Sequence, residues 1–201
     1  MKSIKTLALA AVTALAALAF VGVSPAMAGH TALCAEDETL CAEPITHVHE
    51  ETLTGAKAKL LSSVLNVECD VLFLGDTLVA LANPLVIHGA FTYSNCNNNC
   101  IVEEENGPAV LKILREESEL AKVTGRFLIH MICSGFINCR YKPEGLVWHG
   151  LGPLTSSETN GSIVISEQPL EKDFPNPGSL CPTTTKLDIT TTPLEPVYIS
   201  T

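Results

Sequence analysis

Residues 47–51 read His47-Val48-His49-Glu50-Glu51. On an extended strand successive side chains alternate between faces, so His47, His49 and Glu51 share one side. Two imidazoles and a carboxylate on a common face form a ligand set that zinc and copper sites use. The chain spacing brings no third histidine to them. The plain alternative is a solvated strand face in an acidic stretch. We therefore expect no metal site and no cofactor, with weak metal binding through His47 and His49 as a rival reading.

The other chemistry-bearing residues are dispersed. His88 falls on the polar side of an alternating run. His130 sits within Phe127-Leu128-Ile129-His130-Met131-Ile132, a setting for a hydrogen-bonded, half-buried imidazole. Trp148, the single tryptophan, precedes His149 and suits either a sugar platform or a core position. The chain carries no GxSxG, HExxH, P-loop or GxGxxG pattern, and Ser134-Gly135 lacks a nucleophile elbow. No catalytic residue is assigned. Glu103-Glu104-Glu105 and Glu116-Glu117 leave one catalytic alternative, a carbohydrate-directed hydrolase using paired surface carboxylates.

The eight cysteines are Cys34, Cys41, Cys69, Cys96, Cys100, Cys133, Cys139 and Cys181. No CxxC occurs and the spacings do not match a zinc ribbon. An even set in an exported chain reads as a disulfide framework. Local closure predicts Cys34–Cys41, Cys96–Cys100 and Cys133–Cys139, each bracketing polar, turn-prone residues. Cys69 and Cys181 are left to form one long bridge. Closing a loop of about a hundred residues is worth roughly 4.7 kcal/mol, against about 2 for the smallest loops.

Export is inferred from the first residues. Lys2 and Lys5 precede an uncharged apolar run over residues 7–23, followed by Pro25 and Ala26-Met27-Ala28 before Gly29. That order is a secretory leader over residues 1–28, and the run is short for a spanning helix of about 20 residues. Removing Lys2 and Lys5 deepens the formal net charge from −10 to −12. Such acidity, with scattered Lys and Arg, opposes binding to nucleic acid or anionic lipid. No later stretch is apolar enough to span a bilayer, so the mature chain is expected outside the cytoplasm, with an extracellular or cell-envelope partner.

The elements that carry these residues alternate with period two. Residues 85–93, 46–53, 64–69, 110–115, 126–133, 146–151, 162–167, 186–190 and 196–200 read as strands. Gly75-Asp76, Asn83-Pro84, Asn106-Gly107-Pro108, Thr124-Gly125 and Asn160-Gly161 read as turns, the last as a hairpin tip. Residues 111–122 contain helix formers, but their apolar positions make a poor stripe, and two strands turning at residues 116–118 fit better. Residues 53–65 could form a short helix. The threonine-rich tail reads as edge-strand and loop material. Together these predict an all-β fold, an antiparallel sandwich or barrel stapled by disulfides, in a single domain over residues 29–201.

Leu33-Cys34, the Cys-x3-Cys after a strand, the Cys-x5-Cys, Leu180-Cys181-Pro182 and the terminal Pro196-Val197-Tyr198-Ile199-Ser200 carry one resemblance. The chain resembles uncharacterised secreted cysteine-rich β-proteins of actinobacterial type. The resemblance implies export and a β scaffold, and carries over no functional residue. The function expected is a non-catalytic structural or binding role.

Overall fold

The computed structural model describes residues 30–36, 41–52, 55–115, 120–134, 136–143, 146–151, 162–173 and 180–200. The leader expected over 1–28, the turn at 116–118, the Asn160-Gly161 tip and the side chains of Trp148 and His149 lie outside what is described. The described elements are all strands: β1 (Ala32–Cys34), β2 (His47–Thr52), β3 (Ala58–Leu61), β4 (Asn66–Thr77), β5 (Leu85–Ser94), β6 (Cys100–Arg115), β7 (Leu120–Cys133), β8 (Ile137–Pro143), β9 (Leu146–Leu151), β10 (Ser162–Lys172), β11 (Thr184–Pro193) and β12 (Tyr198–Ser200).

Of the sandwich and the barrel that alternation left open, the chain forms a closed antiparallel barrel of eight strand positions. β4, β5, β6 and β7 are successive neighbours. The fifth position is shared end to end by β8 and β9, both of which pair with β7 and β10. After β10 and β11, the eighth is shared by β2 and β3, which pair with both β11 and β4 and so close the wall. Closure removes the edges that an open sheet would expose. β1 and β12 form a separate two-stranded sheet.

The period-two pattern sets which side chains enter. Val67, Cys69, Val71 and Phe73 of β4, Leu85, Ile87 and Phe91 of β5, and Leu187 and Ile189 of β11 are buried. An eight-stranded barrel has an interior just wide enough to be filled by side chains. This one is filled, with Phe73, Leu85, Ile87, Leu111, Ile129, Tyr141, Leu170, Leu187 and Ile189 all below 2 % exposed or nearly so. The outer side of β3 and β4 carries Lys59, Glu68, Asp70 and Asp76, with Lys59 3.8 Å from Glu68.

Several local expectations are corrected. Residues 53–65 hold β3 rather than a helix, because Ala58 and Leu60 alternate inward around Lys59 and find partners on both sides. Gly75-Asp76 and Thr124-Gly125 lie inside β4 and β7. Gly75 faces Gly89 across β4 and β5, and a Cβ on Gly89 would lie 2.5 Å from the Phe73 ring. Those glycines make room for an aromatic ring. The threonine-rich tail is an interior barrel strand, with Thr185 and Thr191 buried. The strand pair 111–122 is found, with Arg115 opposite Ala121.

The disulfides also differ. Cys34–Cys41 forms as expected. The other bridges are Cys69–Cys96, Cys100–Cys133 and Cys139–Cys181, and no described cysteine is free. The expected Cys96–Cys100, Cys133–Cys139 and Cys69–Cys181 pairs are therefore corrected. On a barrel wall, register decides proximity. Cys133 stands opposite Ile137, while Cys139 stands opposite Met131. A diagonal of that kind spans about 7–8 Å, too far for an unstrained bridge. Cys100 is directly opposite Cys133, with Cα atoms 4.1 Å apart.

Candidate functional site

Three places on this frame hold the residues that chemistry would use. The first is the outer face of β2. His47 stands opposite Asp76, and its Nδ1 is hydrogen-bonded to the Asp76 carboxylate. Asp76 in turn stands opposite His88 on β5, so a His-Asp-His row crosses three strands on the solvent side. His49 is exposed and opposite Leu74, and Glu51 is opposite Leu72. His47, His49, Asp76 and Glu195 border a cleft of about 760 Å³, floored by Ile45, Val48, Leu74 and Val197. The Leu194 amide donates to the His49 carbonyl at 2.9 Å, which holds residues 194 and 195 beside it. Among the described residues no three His, Cys, Asp or Glu are grouped closely enough to hold a metal ion.

The second is the glutamate triplet, which β6 splits among three environments. Glu103 faces solvent and Glu104 faces inward. Glu105 accepts from Arg140 Nε at 2.5 Å and Nη2 at 3.1 Å, and lies 2.7 Å from His130 Nδ1. The Arg140 hydrogen bonds hold the Glu105 carboxyl below the usual carboxylate range, assisted by His130. His130 is buried, and its Nε2 lies 2.7 Å from Asn138 Oδ1. Its imidazole is thus held at both nitrogens, as a structural group is. The three adjacent glutamates offered to the hydrolase alternative thus differ in setting, with Glu104 inward and Glu105 engaged by Arg140 and His130.

The third place is a seam in the wall between β5 and β6. Their ladder runs from Leu85↔Ile113 to Gly89↔Ala109 and stops. Beyond it, residues 90–94 pair with β4 only, and residues 100–105 with β7 only. A bulge starts the break. Residues 106–109 oppose the single Phe127 of β7, with Asn106 and Gly107 at φ of 68° and 96°. Left-handed backbone of this kind suits Asn and Gly. The disulfides tie each arm to its outer neighbour, Cys96 to β4 and Cys100 to β7.

Glu104 bridges the seam with a side chain where a backbone ladder would otherwise run. Its Oε2 accepts from the Phe91 amide at 2.6 Å, and the Ala109 amide also donates to the carboxylate. Its Oε1 and the Tyr93 hydroxyl are buried, and neither has a hydrogen-bond partner among the described residues. Burial raises the Glu104 carboxyl, and burial together with the nearby Glu104 raises the Tyr93 phenol. Phe91, Tyr93, Val102 and Glu104 form the floor of a groove whose rim includes Thr92, Glu103, Gly107 and Pro108. The Phe91 ring is 5.3 Å from Phe127 and 6.4 Å from Tyr93, which makes the floor aromatic.

Sequence reasoning missed Glu104, Tyr93 and Glu50 as special groups. Glu50 points inward and is 3 % exposed, with Thr191 Oγ1 donating to its carboxyl, and burial pushes its pKa up to about 8. Comparison with known proteins returns no matching family model, no matching curated protein and no matching solved structure.

Proposed function

We propose that this protein is an exported, non-catalytic binding or structural barrel of the extracellular space or cell envelope, and that it meets its partner at the barrel wall. The supporting observation is the filled interior. Phe73, Ile129, Tyr141 and Leu187 pack inside, so side chains fill the described part of the interior, which suits a scaffold. Four disulfides suit an oxidising compartment. The hydrolase alternative needs two carboxyls about 5–10 Å apart around one bond. Glu104 faces inward, and Glu105, which shares the outer face with Glu103, is engaged by Arg140 and His130.

The test is fractionation of the native host combined with an activity screen. The protein should appear outside the cytoplasm, beginning near Gly29, and should release no reducing ends from a panel of polysaccharides. Turnover lost in Glu103→Gln would replace this reading with the hydrolase.

A further inference from the structure

We infer that the β5–β6 seam takes a neutral polyhydroxy ligand, a saccharide or polyol, with one hydroxyl lodged between Tyr93 Oη and Glu104 Oε1. The inference rests on the binding role proposed above and names the ligand class of that wall.

Two buried polar atoms belong to residues that line one groove, and neither has a hydrogen-bond partner among the described residues. Native proteins rarely leave such atoms unmatched, and the few that remain call for a reason. Tyr93 supplies an O–H donor, and the unpartnered oxygen of Glu104 supplies an acceptor. An alcohol hydroxyl is both acceptor and donor, so a single such group matches both atoms. A site whose own polar groups stay unpaired until the ligand arrives discriminates strongly against analogues lacking that hydroxyl. The setting suits the rest of a sugar. Thr92 and Glu103 are exposed and stand at the rim for its outer hydroxyls, above the buried Phe91 and Val102.

Both unpartnered atoms are sealed from bulk water, so entry requires the two arms to part. The seam is built for that. Among the described pairings no backbone ladder joins residues 90–94 to residues 100–108, and the Glu104 side chain reaches across from one arm to the other. Cys69–Cys96 and Cys100–Cys133 keep each arm fixed to its outer neighbour while the seam opens.

The experiment is an NMR titration of the intact, disulfide-bonded protein with cellobiose, trehalose and glycerol. Saturable amide shifts confined to residues 90–93 and 102–109 are expected with at least one probe. Tyr93→Phe should weaken that binding at least tenfold while its spectrum stays folded, and Lys186→Ala, on β11, should not change it. If no probe gives saturable shifts at those residues, the inference is overturned, whatever the melting temperature of Tyr93→Phe. Saturable shifts that map to the cleft of His47 and His49 would also overturn it, yet leave the binding role standing. Cleavage of cellobiose would remove the non-catalytic reading itself.

Discussion

Cys100 lies directly across the β6–β7 ladder from Cys133 and is bonded to it, although Cys96 is only four residues away in the chain. The bridge joins residues 33 positions apart, and by loop entropy such a closure is worth about 3–4 kcal/mol. The double variant Cys100→Ala, Cys133→Ala should lose stability of that order in urea unfolding. It should also raise amide exchange at residues 100–105, the β6 side of the seam. A loss well below 1 kcal/mol would mean that the bridge does little to hold that arm.

Glu50 makes stability depend on pH. Its folded pKa of about 8 stands above the ordinary 4.5 because burial disfavours the carboxylate. Below pH 4.5 both folded and unfolded states are protonated, so the full contribution is present. Between pH 4.5 and about 8 the unfolded chain releases a proton that the folded chain keeps, and stability falls by up to roughly 1.4 kcal/mol per pH unit. Glu50→Gln should flatten this slope in melts recorded across that range. An unchanged slope would show that the carboxyl is not the titrating group.

Gly89→Ala should destabilise the barrel by roughly 1–3 kcal/mol, the usual range for overpacking. The new Cβ would lie 2.5 Å from both the Leu74 carbonyl oxygen and the Phe73 ring. Phe73→Leu in the same chain should recover part of that loss by withdrawing the ring. A neutral Gly89→Ala in thermal melts would contradict the packing described.

Much of the barrel was readable from alternation. β2, β9 and the 111–122 strand pair follow from period two, and the buried set follows from the same count. Pairing was not readable, because it depends on register between strands that a chain reading does not fix. A chain reading therefore separates Cys69 from Cys96 and places Gly75 in a turn. The two inward carboxyls did leave a signal. Glu104 is in phase with Cys100 and Val102, and Glu50 with Val48, so each charge falls on the buried side of its own strand. The unpartnered Tyr93 hydroxyl left none, since it depends on β5 and β6 parting at Gly89.

The outer face of β2 should bind zinc and copper weakly. Asp76 engages His47 Nδ1, and no group of three potential ligands is assembled among the described residues. Titration with Zn²⁺ and Cu²⁺ should show no stoichiometric sub-micromolar site. Such a site, lost in the His47→Ala, His49→Ala double variant, would make metal capture the leading function.

The wall-binding account stands most directly on the seam being framed by two bridges instead of stapled shut by one. Peptide mapping without reduction measures this, provided an asparagine-specific protease cuts within Asn97-Asn98-Asn99 and separates Cys96 from Cys100. The account predicts Cys96 linked to the peptide of Cys69, and Cys100 linked to that of Cys133. A Cys96–Cys100 linkage would tie the two arms together, close the seam and contradict the account.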